Sequence, residues 1–189
     1  MHPRVYEEFE HIVAARNIRG AVLEVGALPD DTSLLNMASL RHATEKIGLN
    51  LEGPSSYRDF HVIQGDAHAM TCFADSRFDA VLCNAVLEHD PCFWKTLAEI
   101  RRVTRSGGLL VIGAPGYATL PYPRWARRIF GRMLPLSQST PTIPVHNYPG
   151  DYYRFSEQAF REVLLAGMRD VEIRSVLVPP RLIGLGIKP

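Results

Sequence analysis

Short apolar runs that alternate with amphipathic segments constrain the fold of this chain more than any other feature of its sequence. The early runs are apolar at successive positions, not at every second one, which is typical of strands covered on both faces. Strands of this kind, separated by helical patterns, predict a parallel, doubly wound α/β sheet. The predicted strands of this part lie at residues 21–25, 46–51, 61–64, 78–83 and 109–113.

Two further strands are predicted near the carboxyl end, at residues 171–178 and 182–187, where Pro179 and Pro180 turn the chain. So tight a link favours an antiparallel pair at one edge of the sheet. The sequence therefore predicts a Rossmann-like, doubly wound, mostly parallel sheet flanked by helices, with an antiparallel edge strand pair. Helices are predicted at residues 5–18, 93–104 and 124–134 and after the capping residues Asp31 and Ser156, and a polar loop at residues 52–59.

Composition places the chain among ordinary globular proteins. Its 189 residues are 46% hydrophobic and 22% charged, which suits a single domain over residues 1–189. The chain shows neither a signal peptide nor an apolar run long enough to span a bilayer, so we expect a cytoplasmic protein. A net charge of +1 does not favour a nucleic-acid partner, and the spacing of the three cysteines predicts no metal site.

Ligands of open α/β sheets bind beyond the carboxyl ends of the strands, so the residues after each predicted strand are the candidates for a site. The first strand ends at Glu24 and Gly26, and the glycine lets the backbone approach a ligand closely. The later glycines of a G-x-G-x-x-G motif are absent, and Asp30 and Asp31 would repel a pyrophosphate at a helix start. This turn therefore argues against NAD and ATP and tolerates a ligand with a positive centre.

Polar side chains also follow the next three strands. Asn50 or Glu52 could hold ribose hydroxyl groups, and Asp66 could accept a hydrogen bond from an adenine amine. Glu88 and His89, a few residues past the fourth strand, could position or deprotonate a substrate. Asn50, Glu52 and Asp66 fit an ordinary loop or helix-capping role equally well, whereas the three polar side chains after the fourth strand, Asn84, Glu88 and His89, are a better signal.

Taken together, the strand ends and the runs at residues 78–89, 97–103 and 106–110 resemble class I S-adenosylmethionine-dependent methyltransferases of the type 11 group. The resemblance implies S-adenosylmethionine as cofactor, with S-adenosylhomocysteine as product. This sequence departs from the family pattern at Ala27 and Leu28, where G-x-G is usual, and at Asn50, where an acid is usual. The cofactor-binding residues that it implies are Glu24, Gly26, Ala27, Asn50, Leu51, Glu52, Asp66, Ala67, Asn84 and Ala85.

The acceptor side of the site is predicted around a lid insert at residues 115–155. The stretch from His146 to Phe155 resembles a His-x-x-x-x-Asp-Tyr-x-Arg-Phe segment of the same group. His89 and His146 are the candidate general bases, because imidazole titrates near neutral pH. The candidate substrate-binding residues are Glu88, His89, Tyr117, His146, Tyr152, Tyr153 and Arg154.

The acceptor itself is not identified by these residues. Residues 100–150 contain seven arginines and no acidic residue, which would suit an anionic acceptor or simply a solvated basic face. The function expected is the transfer of a methyl group to a small or anionic acceptor. The alternative is a catalytically silent binding or partner protein that keeps the methyltransferase fold, as the altered glycine turn and Asn50 would allow.

Overall fold

A computed structural model describes residues 1–117, 150–177 and 179–189 of the protein. The described residues form one sheet of eight strands. The strands are β1 (Ala21–Val25), β2 (Glu45–Asn50), β3 (Ser55–Tyr57), β4 (Phe60–Gln64), β5 (Phe78–Asn84), β6 (Thr104–Pro115), β7 (Arg169–Val176) and β8 (Arg181–Ile187). Their order across the sheet is β3-β4-β2-β1-β5-β6-β8-β7.

The sheet is mostly parallel. Strands β4, β2, β1, β5 and β6 run in parallel, and β8 runs antiparallel to both β6 and β7. The predicted fold class is confirmed, and β7 is the edge strand of the antiparallel pair. After β1 the chain moves outward to β2, while β5 lies on the other side of β1. The reversal of direction at β1 places a ligand crevice at the carboxyl ends of these strands.

Helices cover the two faces of the sheet. Helix α1 (Pro3–Ala14) packs Phe9 and its neighbours on one face, and helix α2 (Phe93–Val103) covers the other. Helix α3 lies on the same face as α2; it begins as an α-helix at Glu157–Ala159 and continues as a π-helical turn at Phe160–Leu164. Since both faces are covered, adjacent strand residues such as Ala80 and Val81 are both fully buried. That burial explains why the strands are apolar at successive positions.

The prediction of a helix after Asp31 is wrong. The chain instead forms two 3₁₀ turns, Leu34–Asn36 and Ala38–Leu40. In an α-helix the amide of Ser39 would donate to the carbonyl of Leu35. Here Lys46 Nζ occupies that carbonyl at 3.0 Å, and the Ser39 amide donates to Glu10 at 2.9 Å. Contacts from distant parts of the chain therefore replace the local helical bond.

Three other boundaries differ from the expectation. Residues 52–59 are not all loop, because Ser55–Tyr57 pairs antiparallel with β4 as an edge strand. Helix α1 ends at Ala14 instead of residue 18, and β6 begins at Thr104, well before residue 109. The predicted helix at residues 124–134 lies outside the described residues. Among those residues, no helix is long and apolar enough to cross a membrane.

Candidate active site

A cleft of about 500 Å³ opens where β1, β2, β4 and β5 end. Its walls come from four strand ends and from the start of α2, so residues far apart in sequence meet there. The lining residues are Val25, Gly26, Leu49, Asn50, Leu51, Gly65, Asp66, Ala67, His68, Ala85, Val86, His89, Asp90, Pro91 and Thr96. The crevice predicted at the topological switch point is therefore present in the fold.

The turn after β1 forms the floor of the cleft. Gly26 has φ of +80°, a conformation that L side chains rarely adopt. A Cβ atom at this position would lie 2.4 Å from Val86 Cγ2 on the facing wall. The amides of Gly26 and Ala27 both donate to the carbonyl of Leu49, at 2.8 and 3.3 Å. This turn is therefore fixed against β2 and leaves room for backbone alone.

Asn50 connects the turn after β1 with the loop after β2. Its Nδ2 donates to the carbonyl of Ala27 at 2.8 Å, and its Oδ1 accepts from the amide of Glu52 at 3.2 Å. One amide hydrogen and one lone pair of the side chain remain for a ligand. Leu51 beside it is 71% exposed and lines the cleft, while the Glu52 side chain points into solvent. Asn50 therefore lies at the cleft, whereas Glu52, the other candidate for the ribose, is not among the lining residues.

Two side chains at the end of β4 face the cleft. Asp66 accepts a hydrogen bond from the amide of His68 at 2.8 Å, and Ala67 lies between them. His68 Nε2 lies 2.7 Å from Asp90 Oδ1, on the segment after β5. Neither His68 nor Asp90 is among the site residues predicted from the sequence. A histidine two positions after a candidate aspartate was the available signal, but its partner is 22 residues away.

Residues after β5 form the opposite wall. Ala85 has φ of +58° and donates its amide to the carbonyl of Gly113 at 3.0 Å. Asn84 does not line the cleft; its side chain lies near Gly113 and the ring of Phe9, on the α1 side of the sheet. Within the described residues, Asn84 Oδ1 is buried without a hydrogen-bond partner. Ala85 and Val86, not the Asn84 side chain, therefore form this wall.

Glu24 is held away from the cleft. Its side chain is only 5% exposed, and Oε2 accepts from Ser33 Oγ at 2.5 Å and from the amide of Leu35 at 3.4 Å. Burial raises the pKa of Glu24 to about 7, and the bonds from Ser33 and the backbone oppose that rise. The carboxyl group predicted to bind cofactor instead anchors the loop after β1.

A second group of predicted residues lies beside the cleft, on the acceptor side. Glu88 is fully buried, and its main-chain carbonyl accepts from the amides of Tyr152 and Tyr153 at 2.8 and 3.3 Å. Its carboxyl Oε1 lies 3.5 Å from Arg181 Nη1, while Oε2 has no hydrogen-bond partner within the described residues. Burial raises the pKa of Glu88, and the Arg181 charge opposes that rise.

His89 joins this group to the cleft. It lines the cleft, and its Nδ1 lies 3.3 Å from the carbonyl oxygen of Gly150. Arg154 forms an ion pair with Asp151, whose hydrogen bonds raise the pKa of the guanidinium. Tyr152 is largely exposed, and Tyr153 donates through its hydroxyl to the carbonyl of Pro91 at 3.1 Å.

Two other acceptor-side predictions have different outcomes. Tyr117 is exposed, and its amide donates to the carbonyl of Phe155 at 3.1 Å, so it lies next to residues 150–155. His146 and most of the predicted lid insert lie outside the described residues. The fold thus brings Glu88 and residues 150–155 next to His89, which lines the cleft.

Comparison with known proteins agrees with this architecture. Residues 28–112 match the family model described as a methyltransferase domain. The comparison with curated protein sequences finds no match.

Solved structures of methyltransferases resemble the whole chain. The 1,6-didemethyltoxoflavin-N1-methyltransferase of Burkholderia thailandensis, solved with 1,6-didemethyltoxoflavin and S-adenosylhomocysteine, has a TM-score of 0.67 and 18% identity, covering 97% of this chain and 77% of that one. Phosphoethanolamine N-methyltransferase 2 of Haemonchus contortus, solved with phosphomonomethylethanolamine and S-adenosylhomocysteine, has a TM-score of 0.63 and 12% identity, covering 96% and 52%. The chain therefore matches a methyltransferase-domain model over residues 28–112 and shares its fold with solved methyltransferases.

Proposed function

We propose that the protein transfers a methyl group from S-adenosylmethionine to a small or anionic acceptor and releases S-adenosylhomocysteine. The observation that carries the proposal is the cleft at the four strand ends, where the Gly26 turn leaves room for backbone alone against Val86. The Burkholderia and Haemonchus methyltransferases of similar fold were solved with S-adenosylhomocysteine, which supports the same cofactor class here.

The loop after β1 fits a cofactor without phosphate groups. A dinucleotide pyrophosphate normally docks on a helix N-terminus, whereas residues 26–44, all of them described, contain two 3₁₀ turns of three residues each. Asp31 pairs there with Arg58 at 2.5 Å, and Asp30 accepts from Thr32 at 2.7 Å. These aspartates stabilise the loop instead of facing a helix start, and their negative charge is compatible with a sulfonium cation nearby.

Each part of the cofactor has candidate partners along the cleft. Asp66 uses Oδ1 for its own turn, so its Oδ2 is the atom that would accept from the adenine amine. Ala67 would lie beside the base, and the remaining amide capacity of Asn50 would serve the ribose. The other residues that we assign to the cofactor are Gly26, Ala27, Leu51, Glu52, Ala85 and the backbone of Asn84.

The acceptor would bind at the end of the cleft where His89 meets residues 150–155. Glu88, Tyr152, Tyr153 and Arg154 lie at this end, and Tyr117 lies on the same flank. Oε2 of Glu88 is buried beside the Arg181 guanidinium, so a methyl acceptor would reach this pair only after the neighbouring residues move. We keep residues 115–155 as the proposed lid, with His146 as a second candidate base.

The bound cofactor would supply a methyl group already activated on a sulfonium, so the chain needs mainly to orient the acceptor and exclude water. His89 is the residue that we propose to take a proton from the acceptor, since its imidazole lines the cleft. With an acceptor found by screening, His89→Ala should lower kcat by about 100-fold or more. Its dissociation constant for S-adenosylhomocysteine should stay within about threefold of wild type. Full turnover by this variant would exclude His89 as the base.

Calorimetric titration of the purified protein with S-adenosylmethionine, S-adenosylhomocysteine and NAD tests the cofactor directly. We expect dissociation constants on the order of micromolar for the first two ligands and no heat of binding for NAD. Heat with NAD alone would refute the proposal. Absence of heat with all three would favour a silent binding or partner protein that keeps the fold.

A further inference from the structure

One side-chain hydrogen bond joins two strand ends that are not neighbours in the sheet. Strands β4 and β5 are separated by β2 and β1, which puts their axes roughly 14 Å apart at about 4.8 Å per strand. His68 follows β4 and Asp90 follows β5, yet His68 Nε2 and Asp90 Oδ1 are 2.7 Å apart. The bond therefore passes over the carboxyl ends of both intervening strands.

Both ends of this bond are anchored. Asp90 Oδ2 accepts from Thr96 Oγ1 at 2.7 Å, and Oδ1 also accepts from the amide of Cys92 at 2.8 Å, which fixes the carboxylate to the start of α2. The main-chain amide of His68 donates a hydrogen bond to Asp66 Oδ1, which holds the other end. The Asp90 side chain is 9% exposed and that of His68 29%, so the carboxylate end of the bond is largely shielded from water.

His68 and Asp90 both line the cleft, from opposite walls. We propose that His68 is a positioning residue whose bond to Asp90 fixes the separation of the two walls between which a nucleoside would bind. The identity of that ligand as the adenosine part of S-adenosylmethionine rests on the proposed function. The role of His68 in tying the walls rests on the distances alone.

Three substitutions at one position test the bond itself. His68→Ala removes the donor, and His68→Gln returns an amide nitrogen at about the reach of Nε2. His68→Asn returns one only at the shorter reach of Nδ1. We expect S-adenosylhomocysteine to bind on the order of tenfold more weakly to the Ala and Asn variants. The Gln variant should recover most of the affinity, and His61→Ala, an exposed histidine on β4, should match wild type.

Amide hydrogen exchange without cofactor provides a second readout. His68→Ala should raise exchange in residues 65–70 and 84–92 together, while His61→Ala leaves both segments unchanged. Equal affinity of wild type and His68→Ala for S-adenosylhomocysteine would overturn the positioning role. If wild type binds no S-adenosylhomocysteine, the proposed function fails, and the exchange rates alone decide whether His68 ties the walls. Unchanged exchange in both segments would then refute the tie.

Discussion

Replacement of Gly26 by alanine is the sharpest perturbation of the cleft, because the chain contains a matched control. Gly26 and Gly167 have almost the same φ, +80° and +78°, a range that L side chains rarely adopt. A Cβ atom at Gly167 would have no atom within 4 Å, whereas at Gly26 it would lie 2.4 Å from Val86 Cγ2. The two variants therefore share the cost of a positive φ and differ in the contact.

The magnitudes follow from these two terms. An L residue in the left-handed region costs about 1–2 kcal/mol, which should be the whole loss for Gly167→Ala. The close contact adds about 1–3 kcal/mol at Gly26, since the β-branched Val86 has little rotamer freedom. We therefore expect Gly26→Ala to lose about 2–5 kcal/mol of unfolding free energy.

Urea unfolding measures the stability of both variants, and calorimetry with S-adenosylhomocysteine measures the cleft. Gly26→Ala should bind on the order of tenfold more weakly, because either Gly26 or Val86 must move and both line the cleft. Gly167→Ala should bind like wild type. Adding Val86→Ala to Gly26→Ala should remove the contact term, as a double-mutant cycle would reveal. Equal stability losses at the two glycines, with equal affinity, would refute the reasoning.

Three further substitutions test individual contacts. Burial raises the pKa of Glu24 to about 7, so the stability that this carboxyl contributes is complete below its unfolded value and is lost as pH rises towards 7. The unfolding free energy of Glu24→Gln, relative to that of wild type, should therefore rise by up to about 3 kcal/mol from pH 4.5 to pH 8. Urea unfolding at both pH values measures this, and an equal difference at the two pH values would contradict it. Asn50→Asp, which restores the usual acid of the family, should weaken S-adenosylhomocysteine binding in calorimetry, because a carboxylate cannot donate to the Ala27 carbonyl; tighter binding would exclude that argument. Arg102 holds two main-chain carbonyls and two carboxylates, so Arg102→Ala should lose about 2–4 kcal/mol in urea unfolding, and a loss no larger than that of the exposed Lys95→Ala on the same helix would disprove its role.

The strands and the position of the cleft are predictable from sequence because burial on both sheet faces requires apolar residues at consecutive positions. Residues 80–83 are apolar at successive positions, since Ala80 and Val81 pack against opposite layers. Gly26 is recognisable for a similar reason, because the turn requires a residue without Cβ at that point. In both cases the physical constraint acts on the residue itself.

Other features depend on partners that are distant in sequence. The helix predicted after Asp31 fails because Lys46 and Glu10 occupy its backbone groups. The role of His68 is invisible without Asp90, which only the sheet order brings within reach. The spacing of nearby residues does not predict contacts between side chains that are distant in sequence.

Glu24 shows the limit of reasoning from resemblance. The family pattern points to this acid near the end of β1, but the side chain turns to Ser33 and is absent from the lining of the cleft. A motif therefore fixes the location of a residue along the backbone more securely than the direction of its side chain.

The main-chain carbonyl of Glu88 accepts hydrogen bonds from the amides of both Tyr152 and Tyr153, so residues 84–92 and 150–155 are joined through their backbones. A ligand that shifts one segment also changes the free energy of a ligand held by the other. Linkage requires this coupling to be reciprocal: if S-adenosylhomocysteine tightens the binding of an acceptor analogue by some factor, the analogue must tighten S-adenosylhomocysteine by the same factor. The order in which the two ligands bind then sets the kinetics of assembly and leaves the affinity of the ternary complex unchanged.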